Sequence, residues 1–148
     1  MLPISNEGAK FKTEFGALIA QFSSACTGDA AGTTCACIDR VNYQSMKLSA
    51  LLGLSLTTAK TLTIDCDIYS SDDATGVTTA FTKYITAFDS VVITATGNSV
   101  KEADIDLTGA GRYIYALFTP DLSQTTEADT ASIGIAYNLC GSVLLPLT

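Results

Sequence analysis

The stretch Leu62-Thr63-Ile64-Asp65-Cys66-Asp67-Ile68-Tyr69 decides how this chain is read. Leu62, Ile64, Cys66 and Ile68 fall on one phase of a two-residue period, and Thr63, Asp65, Asp67 and Tyr69 on the other. Side chains of a strand point alternately to opposite faces, so this is an antiparallel strand with one face in a core and one in water. A polar turn over residues 70–76 ends it. Upstream, Met46, Leu48, Ala50, Leu52, Leu54 and Leu56 keep the same period, with Gly53 the expected kink. Downstream, Val91, Ile93 and Ala95 give a strand closed by Gly97-Asn98. Ala103, Ile105 and Leu107 alternate with Glu102, Asp104 and Asp106. After a turn at 108–111, residues 112–118 are apolar on both faces and read as a central strand stopped by Pro120. Residues 121–130 form a polar loop, and Ala131, Ile133, Ile135, Tyr137 and Leu139 a last long strand.

Two segments do not keep this period. Phe11, Phe15, Leu18 and Phe22 recur at spacings of four, three and four, which predicts a short helix over residues 9–22, with an extended arm as the alternative. Phe81, Tyr84, Ile85 and Phe88 also have helical spacing, but in a Thr-rich, β-branched setting that leaves helix and strand both open. Residues 27–34 read as a loop, and the apolar tail 143–148 needs a surface to pack on. The expected organisation is an N-terminal arm or extension over 1–44 and a β-sandwich domain over 45–148. Six to eight short strands with turns between them and no βαβ alternation imply an all-β chain, an antiparallel β-sandwich or jelly roll.

Composition narrows the function. The chain has 148 residues with 21 Thr and 13 Ser, but only 16% charged residues. It covers its surface with hydroxyls more than with charges. Eight Lys and Arg against fifteen Asp and Glu give −7, which disfavours nucleic acid and anionic membranes as partners. No run of ~20 apolar residues offers a membrane helix. The apolar stretch 16–20 before Ser23-Ser24-Ala25-Cys26 is too short for a signal core, so no secretory signal is expected. The chain has no His, which removes the usual general base and the Ser-His and Cys-His nucleophile pairs. No phosphate-binding glycine motif occurs. Neither catalysis nor a cofactor is expected.

The five cysteines are Cys26, Cys35, Cys37, Cys66 and Cys140. An odd number cannot all pair within one chain, and the C-x-C at 35–37 is not a redox spacing. Buried thiols made in a reducing cytoplasm are expected, with one possible disulfide joining Cys26 to Cys35 or Cys37. No metal site is expected. Asp65 with Asp67 and Asp104 with Asp106 would form a calcium-like cluster only if their strands paired; otherwise they keep wet faces wet. Asp72-Asp73 reads as turn chemistry. Tyr69, Tyr84, Tyr113 and Tyr115 are either core-edge aromatics or a sugar- or partner-binding surface.

Three segments in order carry a resemblance. They are Lys60-Thr-Leu-Thr-Ile-Asp-Cys-Asp-Ile-Tyr-Ser-Ser-Asp-Asp73, then Asp104-Ile-Asp-Leu-Thr-Gly-Ala-Gly-Arg-Tyr-Ile-Tyr-Ala-Leu-Phe-Thr-Pro-Asp-Leu-Ser123, then Asp129-Thr-Ala-Ser-Ile-Gly-Ile-Ala-Tyr137 with Leu144-Leu-Pro146 after it. Together they resemble the small decoration, or cement, proteins of tailed bacteriophage heads, over about residues 45–146. The resemblance implies a β-sandwich, often a homotrimer or dimer, that binds the major capsid protein on the outside of an icosahedral head. It implies a location on the virion surface after synthesis in the host bacterial cytoplasm, and no catalytic residues. A head fibre, spike or tail protein, or a carbohydrate-binding sandwich, are the alternatives. The expected partner contacts are Phe11, Phe15, Leu18 and Phe22 in the N-terminal segment, and Val143, Leu144, Leu145 and Leu147 in the tail.

Overall fold

A computed structural model describes residues 12–23, 32–73, 81–123 and 129–142. Its strands are β1 (Lys12–Ser23), β2 (Thr33–Thr34), β3 (Ile38–Asp39), β4 (Tyr43–Ser55), β5 (Leu62–Ser71), β6 (Thr82–Ile93), β7 (Gly97–Asp106), β8 (Tyr113–Leu122) and β9 (Thr130–Ser142). One sheet has the order β1-β9-β4-β7. The other has the order β2-β8-β5-β6, with β3 also pairing β8. Every pairing is antiparallel.

The order follows from a simple construction. If β2 and β3 are taken as one interrupted strand, the first strand pairs the last, the second the second-last, β4 pairs β7 and β5 pairs β6. That is one long hairpin folded at the β5–β6 turn. Rolling it up adds two more ladders, β4 on β9 and β5 on β8, and the ribbon becomes two facing sheets. This is a jelly roll.

The two-residue pattern of residues 62–69 is kept in full. Leu62, Ile64, Cys66, Ile68 and Ser70 are buried, and the residues between them half-buried. Met46, Leu48, Ala50, Leu52 and Leu54 face them from β4, and Ala131, Ile133, Ile135, Tyr137 and Leu139 from β9, in a single core. Tyr137 reaches across that core. Its hydroxyl accepts the Ala116 N–H of β8 at 2.9 Å, at the point where β2 has ended. Burial pushes the Tyr137 phenol far up, so it stays neutral.

Several expectations are corrected. Lys12–Ser23 is a strand, not a helix. Its helical spacing arises from register shifts between Phe15 and Ala17 and between Ile19 and Phe22. Each shift places an extra residue on β1, so side chains three apart return to the same face. The segment also belongs to the sandwich: β1 lies on β9, and β2 and β3 lie on β8. Residues 82–93 are likewise one strand, with three register shifts against β5. Ala95 lies beyond it, and Gly97-Asn98 opens β7 instead of closing a strand.

Pro120 does not stop β8, which runs on to Leu122. Ser123 N–H donates to the Thr61 carbonyl. By alternation along the ladder, Ile64 and Pro120 form a non-hydrogen-bonded pair. The missing N–H of the proline therefore faces away from β5, beyond the two residues of β2, where no ladder bond is lost.

Replacing Tyr137 with Phe keeps the ring and removes the acceptor from a buried N–H. The expected loss is ~1–3 kcal/mol of unfolding free energy in a denaturant titration, with the strand content unchanged. A loss below a few tenths of a kcal/mol would show that the bridge contributes nothing.

Candidate interaction surface

The outer faces of the two sheets differ. On the β8–β5–β6 side, the polar phase of residues 62–69 is occupied by local work. Asp65 accepts from Ser90 N–H at 2.7 Å and from Ser90 Oγ at 3.2 Å. Ser90 sits at φ 48°, inside the register shift between Ile64 and Cys66, so this carboxylate holds the bulge in its left-handed turn. Asp67 accepts from Thr86 Oγ1 at 2.8 Å and pairs with Lys83 Nζ at 2.8 Å. Tyr69 and Tyr115 are register partners and stack at 5.2 Å with an interplanar angle of 3°, and Phe81 tilts against Tyr115 at 5.0 Å. The three rings pack against one another. Asp104 and Asp106 lie on β7, in the other sheet, so the two carboxylate pairs do not meet. Among the described residues no group of three or more His, Cys, Asp or Glu could hold a metal.

One corner of the sandwich is locked by two arginines. Arg40 donates to the carbonyls of Gly111 at 2.7 Å, Tyr43 at 3.0 Å and Ala110. Arg112 donates to both oxygens of Asp39, with Nη2 2.6 Å from Oδ2, while its own N–H donates to Asp72. Gly111 is required here, because a Cβ would lie 2.5–2.9 Å from the Ser71 backbone. The guanidinium of Arg112 holds the Asp39 carboxyl below the ordinary carboxylate range.

Cys35, Cys37, Cys66 and Cys140 are free thiols, and Cys26 lies outside the described residues. Burial pushes Cys35 up to about 11 and Cys66 higher still, so neither is a thiolate nucleophile at neutral pH.

The outer face of the β1–β9–β4–β7 sheet is the unusual one. Leu18 of β1 is opposite Gly134 of β9, Gly134 opposite Leu51 of β4, and Leu51 opposite Val100 of β7. This makes one straight row across all four strands. Leu18 is 69% exposed, Leu51 51% and Val100 54%. In the next row Phe15, 64% exposed, lies opposite Ala136. On the other side of the row Gly53 is opposite both Ser132 and Asn98. The small residues leave an open groove of about 450 Å³ between the side chains of Leu18 and those of Leu51 and Val100. No charged residue lines it. Lys47, further along β4, pairs with Glu102 at 3.3 Å and Asp104 at 3.7 Å.

The expected contact residues therefore separate. Phe15 and Leu18 are together on this outer face. Phe22 is buried, with Ile19, in the core. Phe11, Val143, Leu144, Leu145 and Leu147 lie outside the described residues. Leu51 and Val100 were not expected on the face. The signal was available: each is a large apolar residue on the wet phase of an alternating strand, between Ser49 and Gly53 and between Asn98 and Glu102.

No protein-family model and no curated protein sequence matches the chain. Solved structures do match. A chain of infectious bursal disease virus strain Gx superposes with a TM-score of 0.55 at 16% identity, covering 92% of this chain and 34% of that one. A chain of the VP2 subviral particle of the same virus gives 0.56 at 15% identity, covering 90% and 32%. One from its T13 particle gives 0.57 at 15% identity, covering 90% and 31%. At such identities the likeness is one of fold alone: this chain shares a β-sandwich with these chains of virus particles. It spans about a third of the length of the chains it matches.

Asp39 is held low by Arg112, so the pair stabilises the fold above the unfolded carboxylate value of ~3.9 and is lost as pH falls through the folded value. For Asp39→Asn the melting temperature should lie below wild type near pH 7, and the gap should close toward pH 2–3. A gap independent of pH would assign the effect to packing. The pair is partly exposed, so the expected size is within ~1 kcal/mol.

Proposed function

We propose that this chain is a structural part of a virus particle. In this reading it is a decoration, or cement, protein that binds the outer surface of a bacteriophage icosahedral head through the major capsid protein and stabilises the shell. One observation carries the reading: the jelly roll shared with capsid chains, presenting an uncharged apolar row across a whole sheet. A soluble monomer gains nothing from such a row, whereas a binding part needs one. The three-segment resemblance adds the phage head, and the absence of His agrees with a role in binding instead of catalysis. Free thiols suit synthesis in a bacterial cytoplasm.

The shell contact in this reading involves the two chain ends. Lys12 is opposite Leu139, so β1 begins where β9 finishes. In the sequence, residues 1–11 lead into β1 and the apolar tail 143–148 follows β9. Repetition over many equivalent sites would turn a modest contact into strong stabilisation.

Quantitative mass spectrometry of density-purified particles from the source lysate tests the reading. Copies in the hundreds, near-stoichiometric with the shell protein, are expected. A handful of copies would move the chain to a fibre, spike or tail, and absence from particles would overturn a virion role. Deleting 143–148, or 1–11, should weaken particle binding tenfold or more while leaving thermal unfolding of the sandwich within a few degrees. Deletions that bind as tightly as wild type would remove the ends from the contact. Residues 12–23 must stay, because β1 is a strand of the sheet.

A further inference from the structure

The apolar row has a shape as well as a composition. Gly134 sits at the centre of a four-stranded sheet, where glycine weakens a strand. The fold does not demand it there. Its φ is not in the left-handed region, and a Cβ added to it would meet only Leu51, at 3.9 Å, an ordinary contact. The missing side chain deepens the groove and does nothing for the chain's own packing. Beside this hole stands a ridge, Phe15 and Leu18 on β1, each more than 60% exposed. A ridge and a trough of matching apolar character lie side by side on one face.

We infer that this face is a twofold docking surface for a second copy of the chain, the β1 ridge of each copy seated in the Gly134 trough of the other. A self-complementary patch of this kind is what an isologous dimer requires. The area is sufficient. Four strands ~4.8 Å apart, with ~40 Å of strand length, present a face of ~800 Å², about the share per partner of a standard stable interface. Two sheets packed this way lie ~10 Å apart with their strands within ~30° of alignment. Charge points to the same face. Each copy carries −7, so two copies repel across most of their surfaces. Here the groove has no charge at all, and the charges further along the face, Lys47 with Glu102 and Asp104, are paired within their own chain and leave one net negative charge there.

The inference goes beyond the virion reading and does not depend on it, since association is measured on the purified chain without particles. Analytical ultracentrifugation of the full chain at micromolar concentration should give twice the 15.4 kDa chain mass. Gly134→Leu fills the trough. Leu18→Lys and Leu51→Lys place a charge on exposed positions where folding tolerates it. Each should weaken the dimer at least ~10-fold while circular dichroism and melting temperature stay near those of the wild-type monomer. If Gly134→Leu fails to fold, the two lysine variants decide alone. A wild-type chain that remains a monomer overturns the proposal. So does an oligomer whose affinity none of these variants changes. A monomeric wild type whose particle binding is lost in Leu51→Lys would give the face to the shell, against a second copy.

Discussion

The ladder between β4 and β9 is the constraint on which the rest depends. It runs from Tyr43 opposite Ser142 to Ser55 opposite Thr130, and it closes the rolled hairpin. Its inward pairs are Met46 with Leu139, Leu48 with Tyr137, Ala50 with Ile135, Leu52 with Ile133 and Leu54 with Ala131, all buried. Large residues stand opposite small ones at Ala50 and Ala131, so the row fills without crowding. The outward pairs of the same ladder are Lys47 with Asn138, Ser49 with Ala136, Leu51 with Gly134 and Gly53 with Ser132. One register thus sets the core and the outer groove together. A one-residue slip of β9 would move Tyr137 to the surface, and one of β4 would move Lys47 into the core, so the register is strongly specified. The cross-core bond from Tyr137 to Ala116 then ties the second sheet to the same register.

This explains which parts of the fold were legible in the sequence. β4, β5, β7 and β9 keep an unbroken two-residue period over most of their length, and each was readable from that period. β1 and β6 are edge strands, and both carry bulges. A bulge advances the phase by one residue, so two inward side chains such as Ile19 and Phe22 stand three apart. Three-residue and four-residue spacings are also the signature of a helix, and a pattern argument cannot separate the two without knowing the partner strand. Pro120 misled for a related reason. Its effect depends on which side of the strand its nitrogen faces, and that is a property of pairing.

The candidate surface was half legible. Phe15 and Leu18 were visible as apolar residues without a core period, but Phe22 was grouped with them because the second bulge was hidden. Leu51 and Val100 lay in strands whose pattern was already explained by their buried phase. The row exists only when Leu18, Gly134, Leu51 and Val100 are aligned across four strands drawn from both ends of the chain. Alignment of that kind is tertiary information.

The acidic balance takes a different meaning in three dimensions. Asp65 and Asp67 hold the irregular turns of β6, Asp39 and Asp72 fix Arg112, and Asp106 accepts from Thr108 N–H and Oγ1 within its own turn. These carboxylates are committed to nearby backbone N–H groups, hydroxyls or one local cation. They are therefore poor ligands for an added ion, because binding it would cost the strand geometry they maintain. On the readings proposed above, a chain that spends its acids on local geometry and keeps an uncharged row on one sheet associates by shape and apolar area. Salt should then have little effect on any contact made through that row, since the screened charges stand outside it.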